Sequence, residues 1–194
     1  MRIILIGLFV IGTCTWSYAD VDPWRESYRL EGLYQYDAAI DALDSVSPEN
    51  EVALLRRGWL NYLKGSHSKA IEYYQKAISK YPSSLDARLG IILPLMAQQR
   101  WREAGLHAEK VLEVAPWNYF AHLRLLEVEM ALKDWRTAAS HAYSVSQHYP
   151  TDVTLLLYCA RSHMNLNNKN EASQAYRKVL ELLPDNMEAT LFVE

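Results

Sequence analysis

Two cysteines in 194 residues leave little scope for covalent scaffolding. Cys14 lies in the apolar start of the chain and Cys159 in its body, so removal of that start leaves one thiol and no intramolecular disulfide. Set among Leu155, Leu156, Leu157 and Tyr158, Cys159 reads as an inert buried thiol. The chain has no HExxH, no CxxC, no GxSxG and no glycine-rich phosphate loop, and its serines lack a nucleophile context, so no catalytic residue and no cofactor is expected. Nor do the histidines suggest a metal. His67, His122, His148 and His163 show no ligand spacing; His107 and His141 are expected on one outward face, without a carboxylate or third ligand nearby. Basic excess is missing too: 20 Lys and Arg stand against 23 Asp and Glu, interspersed, which argues against nucleic acid. With no Gly/Ser linker and no charge run, the chain reads as a single body.

A membrane-spanning run is absent as well. The apolar stretch Ile3 to Gly12 is well short of the ~20 residues that a spanning helix needs. Arg2 precedes it, and Ser17 and Ala19 supply small residues three before and directly before a cut after Ala19. Residues 1–19 are therefore expected to be a removable export signal. The mature chain is then periplasmic or secreted, has no membrane span, and carries a formal charge of −4 once Arg2 is lost. Cys14 offers a lipoprotein alternative, although Thr13 stands where that signal takes Gly, Ala or Ser.

What the chain does have is a period. Pro48, Pro82, Pro116, Pro150 and Pro184 stand at intervals of 34, each followed two residues later by Asn50, Ser84, Asn118, Asp152 or Asn186. Proline cannot continue a helix, and the small polar side chain can accept from the free amides of the next one. Each unit thus closes one helix and opens another. Twelve residues before the last four prolines come Ala70, Ala104, Ala138 and Ala172, small enough for two helices to approach closely.

These features resemble the tetratricopeptide (TPR) repeat, a 34-residue helix-turn-helix. Ala70 to Ile78 with Pro82 is similar to the family's second helix, and Gly58 sits where the family prefers glycine; Ile92, Leu126 and Ala160 depart from that preference. The resemblance implies an all-α, right-handed superhelical solenoid. Residues 20–50 read as a degenerate N-terminal repeat, shortened because only nine positions separate Ala39 from Pro48. Four full repeats follow at 51–84, 85–118, 119–152 and 153–186, and then a partial helix at 187–194. Pro94 falls inside a first helix, and a kink is expected from Gly90 to Pro94, with the glycine giving the backbone room. Trp101 and Trp135, at the hairpin turns, are expected to staple their two helices together.

In the family, fixed places on the first helices line a concave surface. Leu55, Leu89, Leu123 and Leu157 recur at one such place, with Leu191 continuing the series, and Tyr62, Met96, Met130 and Met164 stand seven residues further on. With Trp59, Leu93 and Phe120 nearby, these ladders form either an apolar groove floor or part of the core. Polar residues at family core places, Arg88, His122, Asn61 and Glu129, favour the core if they rotate the first helices. As a groove, the ladders suit an amphipathic helix or an extended apolar segment of another protein.

The resemblance implies a non-enzymatic interaction scaffold outside the cytoplasm, in bacterial envelope, surface-polymer or secretion assembly. Leu begins the row where TPR clamps for chaperone tails carry polar residues, which excludes that role. Two alternatives remain: a self-stacking homo-oligomer joined through an end near Leu191, Phe192 and Val193, or an accessory domain of an envelope enzyme complex.

Overall fold

The computed structural model describes residues 22–193; the expected export signal and Cys14 lie outside them. Eleven helices and no strand occur among the described residues: α1 Pro23–Gly32, α2 Tyr36–Asp41, α3 Glu51–Leu63, α4 His67–Lys80, α5 Leu85–Ala97, α6 Trp101–Val114, α7 Tyr119–Ala131, α8 Trp135–His148, α9 Val153–Asn165, α10 Lys169–Leu182 and α11 Met187–Val193.

Local chemistry sets the starts. Asn50, Ser84, Asn118, Asp152 and Asn186 each accept from the amide three residues on, at 3.0, 3.2, 2.9, 3.0 and 2.9 Å. Each side chain satisfies one of the amides that a helix leaves without an internal partner. Between first and second helices the chain reverses through a left-handed residue, Gly65 (φ 82°), Gln99 (φ 58°), Lys133 (φ 60°) or Asn167 (φ 61°). The amide of the next residue then bonds a carbonyl five back, as Ser66 does to Asn61 and Arg100 to Leu95. Tyr34 (φ 59°), with Gln35 bonding Leu30, makes the same turn between α1 and α2, so one backbone device is used five times, the last four at the 34-residue spacing.

The hairpins pile in one direction. Each helix contacts the next in sequence, and α3 also meets α5, α5 meets α7 and α7 meets α9. No comparable contact joins α4 to α6, α6 to α8 or α8 to α10 among the described residues. The first helices are therefore the closely spaced inner layer, the concave side, and the second helices splay on the outside. Ala70, Ala104, Ala138 and Ala172 are wholly buried where the layers meet. Leu54, Leu60, Ile91, Ile92, Leu95, Leu126 and Leu155 fill the rest of the core from the inner layer. Each such side chain stabilises the fold by roughly 1.5–3 kcal/mol.

The polar residues at core places are paired. Asn61, His122 and Glu129 stay buried, with Arg88 half-buried, and they find polar partners. The Asn61 amide donates to the Arg57 carbonyl at 2.8 Å, and the Arg88 guanidinium to the Pro82 carbonyl at 3.0 Å. Two buried arginines also hold the shortened first hairpin. Arg56 donates to Ser27 at 3.1 Å and pairs with Glu31, and Arg57 donates to the Leu43 carbonyl at 2.8 Å. Charge-assisted bonds here take the place of the turn that α2 lacks.

Two repeats are closed by a tyrosine after the second helix. Tyr81 donates to the Glu49 carbonyl at 2.9 Å, and Tyr149 to the Trp117 carbonyl at 2.6 Å. The equivalent places in the other two repeats hold Ala115 and Leu183, which have no hydroxyl.

α5 runs unbroken through Pro94. A β-carbon at position 90 would meet Cε1 of the Tyr74 ring at 2.2 Å. Gly90 therefore also makes room for a side chain of the neighbouring helix. Of the two hairpin tryptophans, both half-buried, Trp101 packs against the cluster built on Ile71, Ile91 and Leu95.

Candidate functional site

The inner faces of α3, α5, α7 and α9 carry four rows at the 34-residue spacing. Val52, Asp86, Phe120, Thr154 and Glu188 form one, and Leu55, Leu89, Leu123, Leu157 and Leu191 the next. Trp59, Leu93, Glu127 and Arg161, then Tyr62, Met96, Met130 and Met164, complete the face. Steps of three, four and three residues keep one side chain from each row on a single stripe of its helix.

None of the eleven residues singled out from the sequence is buried. Leu55, Trp59, Tyr62, Leu89, Leu93, Met96, Leu123, Met130 and Leu157 are half-buried, while Phe120 is 61% and Met164 45% exposed. Leu55, Leu89 and Met96 border the cluster of Ile91 and Ile92, and Leu123 and Leu157 border that of Leu126 and Leu155. The ladders lie against the core and leave one flank open.

Two thioethers are also oriented. Ser162 donates to the sulfur of Met130 and Tyr176 to that of Met164, each at 3.3 Å.

Polar groups interrupt the apolar ladders. Arg124 bonds Glu127 at 2.8 Å on α7, and Arg161 on α9 bonds Glu188 on α11 at 2.8 and 2.5 Å. Tyr158 approaches Glu127 at 3.4 Å; burial first, and this carboxylate second, push its phenol up to about 12. At the N-terminal end an open cavity of about 520 Å³ is walled by Tyr28, Val52, Leu55 and Trp59, with Tyr74 and Asp86 at α4 and α5. Its polar side is fixed, because Trp59 donates to Glu31 at 2.8 Å and the Arg56 guanidinium lies 3.8 Å from the Tyr28 ring centroid. Asp86 is exposed and bonds no other described residue.

Val52, Asp86, Glu127, Arg161 and Glu188 were not singled out from the sequence. They were reachable by running the 34-residue interval through Phe120 and Trp59, because each shares a row with one of these two. The histidines need correction. His141 does not share an open face with His107: its Nδ1 lies 3.0 Å from Glu129 and its Nε2 2.9 Å from His122. His107 is half-buried on α6, where burial first and Arg88 second hold its imidazole below the usual range. Among the described residues no three His, Cys, Asp or Glu side chains converge as metal ligands. Cys159 is buried, and burial pushes its thiol up.

Helix hairpins stacked in one direction, a wholly buried alanine at each crossing and a continuous inner face define a helical-repeat solenoid. The chain carries tetratricopeptide repeats. Two tetratricopeptide repeat family models match it, over residues 52–84 and 160–186. No curated protein matches the sequence.

Solved structures of the same fold include YrrB, described as a TPR protein with an unusual peptide-binding site, at 15% identity and TM-score 0.71, covering 89% of this chain and 90% of that one. MamA (41-end) from Desulfovibrio magneticus RS-1 aligns at 15% identity and TM-score 0.76, over 85% and 95% of the two chains. TTC0263, a TPR protein of Thermus thermophilus, aligns at 20% identity and TM-score 0.64, over 89% and 96%. The fold indicates a protein–protein interaction scaffold. No helix among the described residues is long and apolar enough to cross a membrane.

Proposed function

We propose that the inner face of α3, α5, α7 and α9 binds a segment of another protein, an amphipathic helix or an extended apolar stretch, and that the protein is a non-enzymatic scaffold outside the cytoplasm. One observation carries the groove: the Leu and Tyr/Met ladders keep an open flank along four successive first helices. Apolar side chains with adaptable thioethers suit a partner that lays one apolar face along the floor. The peptide-binding site of YrrB, a protein of like fold, supports the same kind of ligand. The location rests on Arg2, the apolar run Ile3 to Gly12 and the small residues Ser17 and Ala19. An exported scaffold of this kind serves envelope, surface-polymer or secretion assembly.

Peptides selected on the mature protein from a displayed random library test the groove. Leu89→Asp/Leu123→Asp, with native helical content, is expected to weaken the selected peptides at least about tenfold, the cost of burying a charge on an apolar floor. Leu106→Asp, on the exposed outer face of α6, leaves them unchanged. Equal binding by all three proteins overturns the groove.

A second reading is favoured at the other end, where Met187 and Leu191 on α11 are 76% and 73% exposed. An apolar end suits stacking on another copy. Light scattering decides, since a strict monomer at high concentration removes self-assembly.

A further inference from the structure

Between α7 and α8 four groups stand in line. The Glu129 carboxylate lies 3.0 Å from Nδ1 of His141; Nε2 of His141 lies 2.9 Å from Nδ1 of His122; and Nε2 of His122 lies 2.9 Å from the Pro116 carbonyl. His122 and Glu129 are buried at 8% exposure, and only 14% of the His141 side chain is exposed. The stacked rings of Trp117 and His148, 4.1 Å apart and 5° from parallel, stand beside the Pro116 end.

Counting protons in this line leads to a result that neither histidine gives alone. The Pro116 carbonyl can only accept, and so can an ionised Glu129. Three hydrogen bonds therefore need three N–H groups on two imidazoles, whereas two neutral imidazoles carry two. The line is complete only when the pair holds one extra proton, a single positive charge facing the single negative charge of Glu129. Placing that proton on the carboxyl instead leaves the total unchanged. With the proton gone, two lone pairs face each other across 2.9 Å, either between the rings or at Pro116. With a second proton added, two N–H groups face each other at the same distance. A buried polar pair mismatched in either way costs more than an exposed one.

We propose that Glu129, His141 and His122 form a one-proton lock between the two helices of the third repeat, closed over a limited pH range and opened on both sides of it. The groups that face His122 are His141 on α8, Glu129 on its own helix and His148 at the end of α8. Of the other neighbours, α6 adds Ala104 and Ala108 to the cluster around Val128, and α9 adds Leu155, Leu156 and the thiol of Cys159 to that around Leu126, with its Tyr158 hydroxyl directed at Glu127. Burial, outweighing the Pro116 bond, holds His122 below the usual imidazole range, and the His141 charge acts in the same direction as burial. That direction belongs to the second proton, because the two rings titrate as a pair.

The second proton binds more weakly in the folded chain than in the unfolded one, so its contribution is present above about pH 6.5 and is lost as pH falls. His122 and Glu129 share α7 with Phe120, Leu123 and Met130, so opening of the lock loosens the third repeat's share of the inner face.

Histidine-selective ¹⁵N nuclear magnetic resonance on the full chain tests this without any substitution. The expected result near pH 7 is three ring N–H groups shared by His122 and His141. Titration then shows one joint step above the free imidazole value and one below it, each displaced by about one pH unit or more, a tenfold change in proton affinity. Glu129→Gln lowers the upper step by at least about tenfold. Two independent steps near pH 6.5, two neutral rings beside an ionised Glu129 at pH 7, or an upper step that Glu129→Gln leaves in place each overturn the proposal.

Discussion

The ring of Tyr74 on α4 occupies the space that a side chain at position 90 of α5 would need, with its Cε1 only 2.2 Å from the β-carbon of a residue built there. The same ring sits 2.9 Å from the corresponding point at Gly58 on α3. Tyr74 is thus a wedge between two first helices that contact each other, and moving it off one glycine drives it toward the other.

Gly90→Ala consequently destabilises the protein, although alanine is the better helix former by about 1 kcal/mol. Overpacking a filled site costs about 1–3 kcal/mol, and here it outweighs propensity. Urea denaturation checks the sign. In a Tyr74→Leu background, where the ring is gone, the same substitution should become neutral or stabilising.

The left-handed turn residues offer the opposite case. Gly65 holds this conformation with no side chain, whereas Lys133 holds it at φ 60° with one. Lys133→Gly is expected to raise stability by about 1 kcal/mol and Gly65→Ala to lower it by a similar amount. Thermal unfolding of the two variants should move in opposite directions.

Asn118 accepts from the Ala121 amide at 2.9 Å at the start of α7. Asn118→Ala should cost about 1 kcal/mol and Asn118→Gly only a few tenths. Denaturant midpoints of the two variants, compared with wild type, read that difference.

Glu188 links α11 to the body through Arg161 and Tyr176. The Arg161 bond is the main cause that holds its carboxyl below the ordinary value of 4.5, against an opposing effect of burial. A lowered carboxyl contributes stability above the unfolded value and loses it as pH falls through the folded one. The stability gap between wild type and Glu188→Gln should therefore narrow as pH drops below about 4.5. A gap independent of pH in that range would show that the ion pair contributes nothing.

What could be read from the sequence was what depends on neighbours along the chain. Asn50 and its four counterparts could be assigned as caps because the bond reaches only three residues ahead. The ladders could be found from their interval, but their exposure depends on which helices border them, and α5 and α7 lie a full repeat apart. The Tyr74 ring beside Gly90 was out of reach for the same reason, since it lies sixteen residues away on another helix. Glu129 and His141 face each other across a hairpin turn, and their meeting depends on the relative rotation of two helices. Polar residues at core places signalled that something had to pair, without saying with what.

The two tyrosine hydroxyls have a consequence for how the array yields. Tyr81 and Tyr149 each fasten the far end of a repeat to the residue two before its start, and Ala115 and Leu183 cannot do so. Latched and unlatched units alternate along the chain, so partial unravelling begins in the second and fourth repeats while the first and third hold their shape.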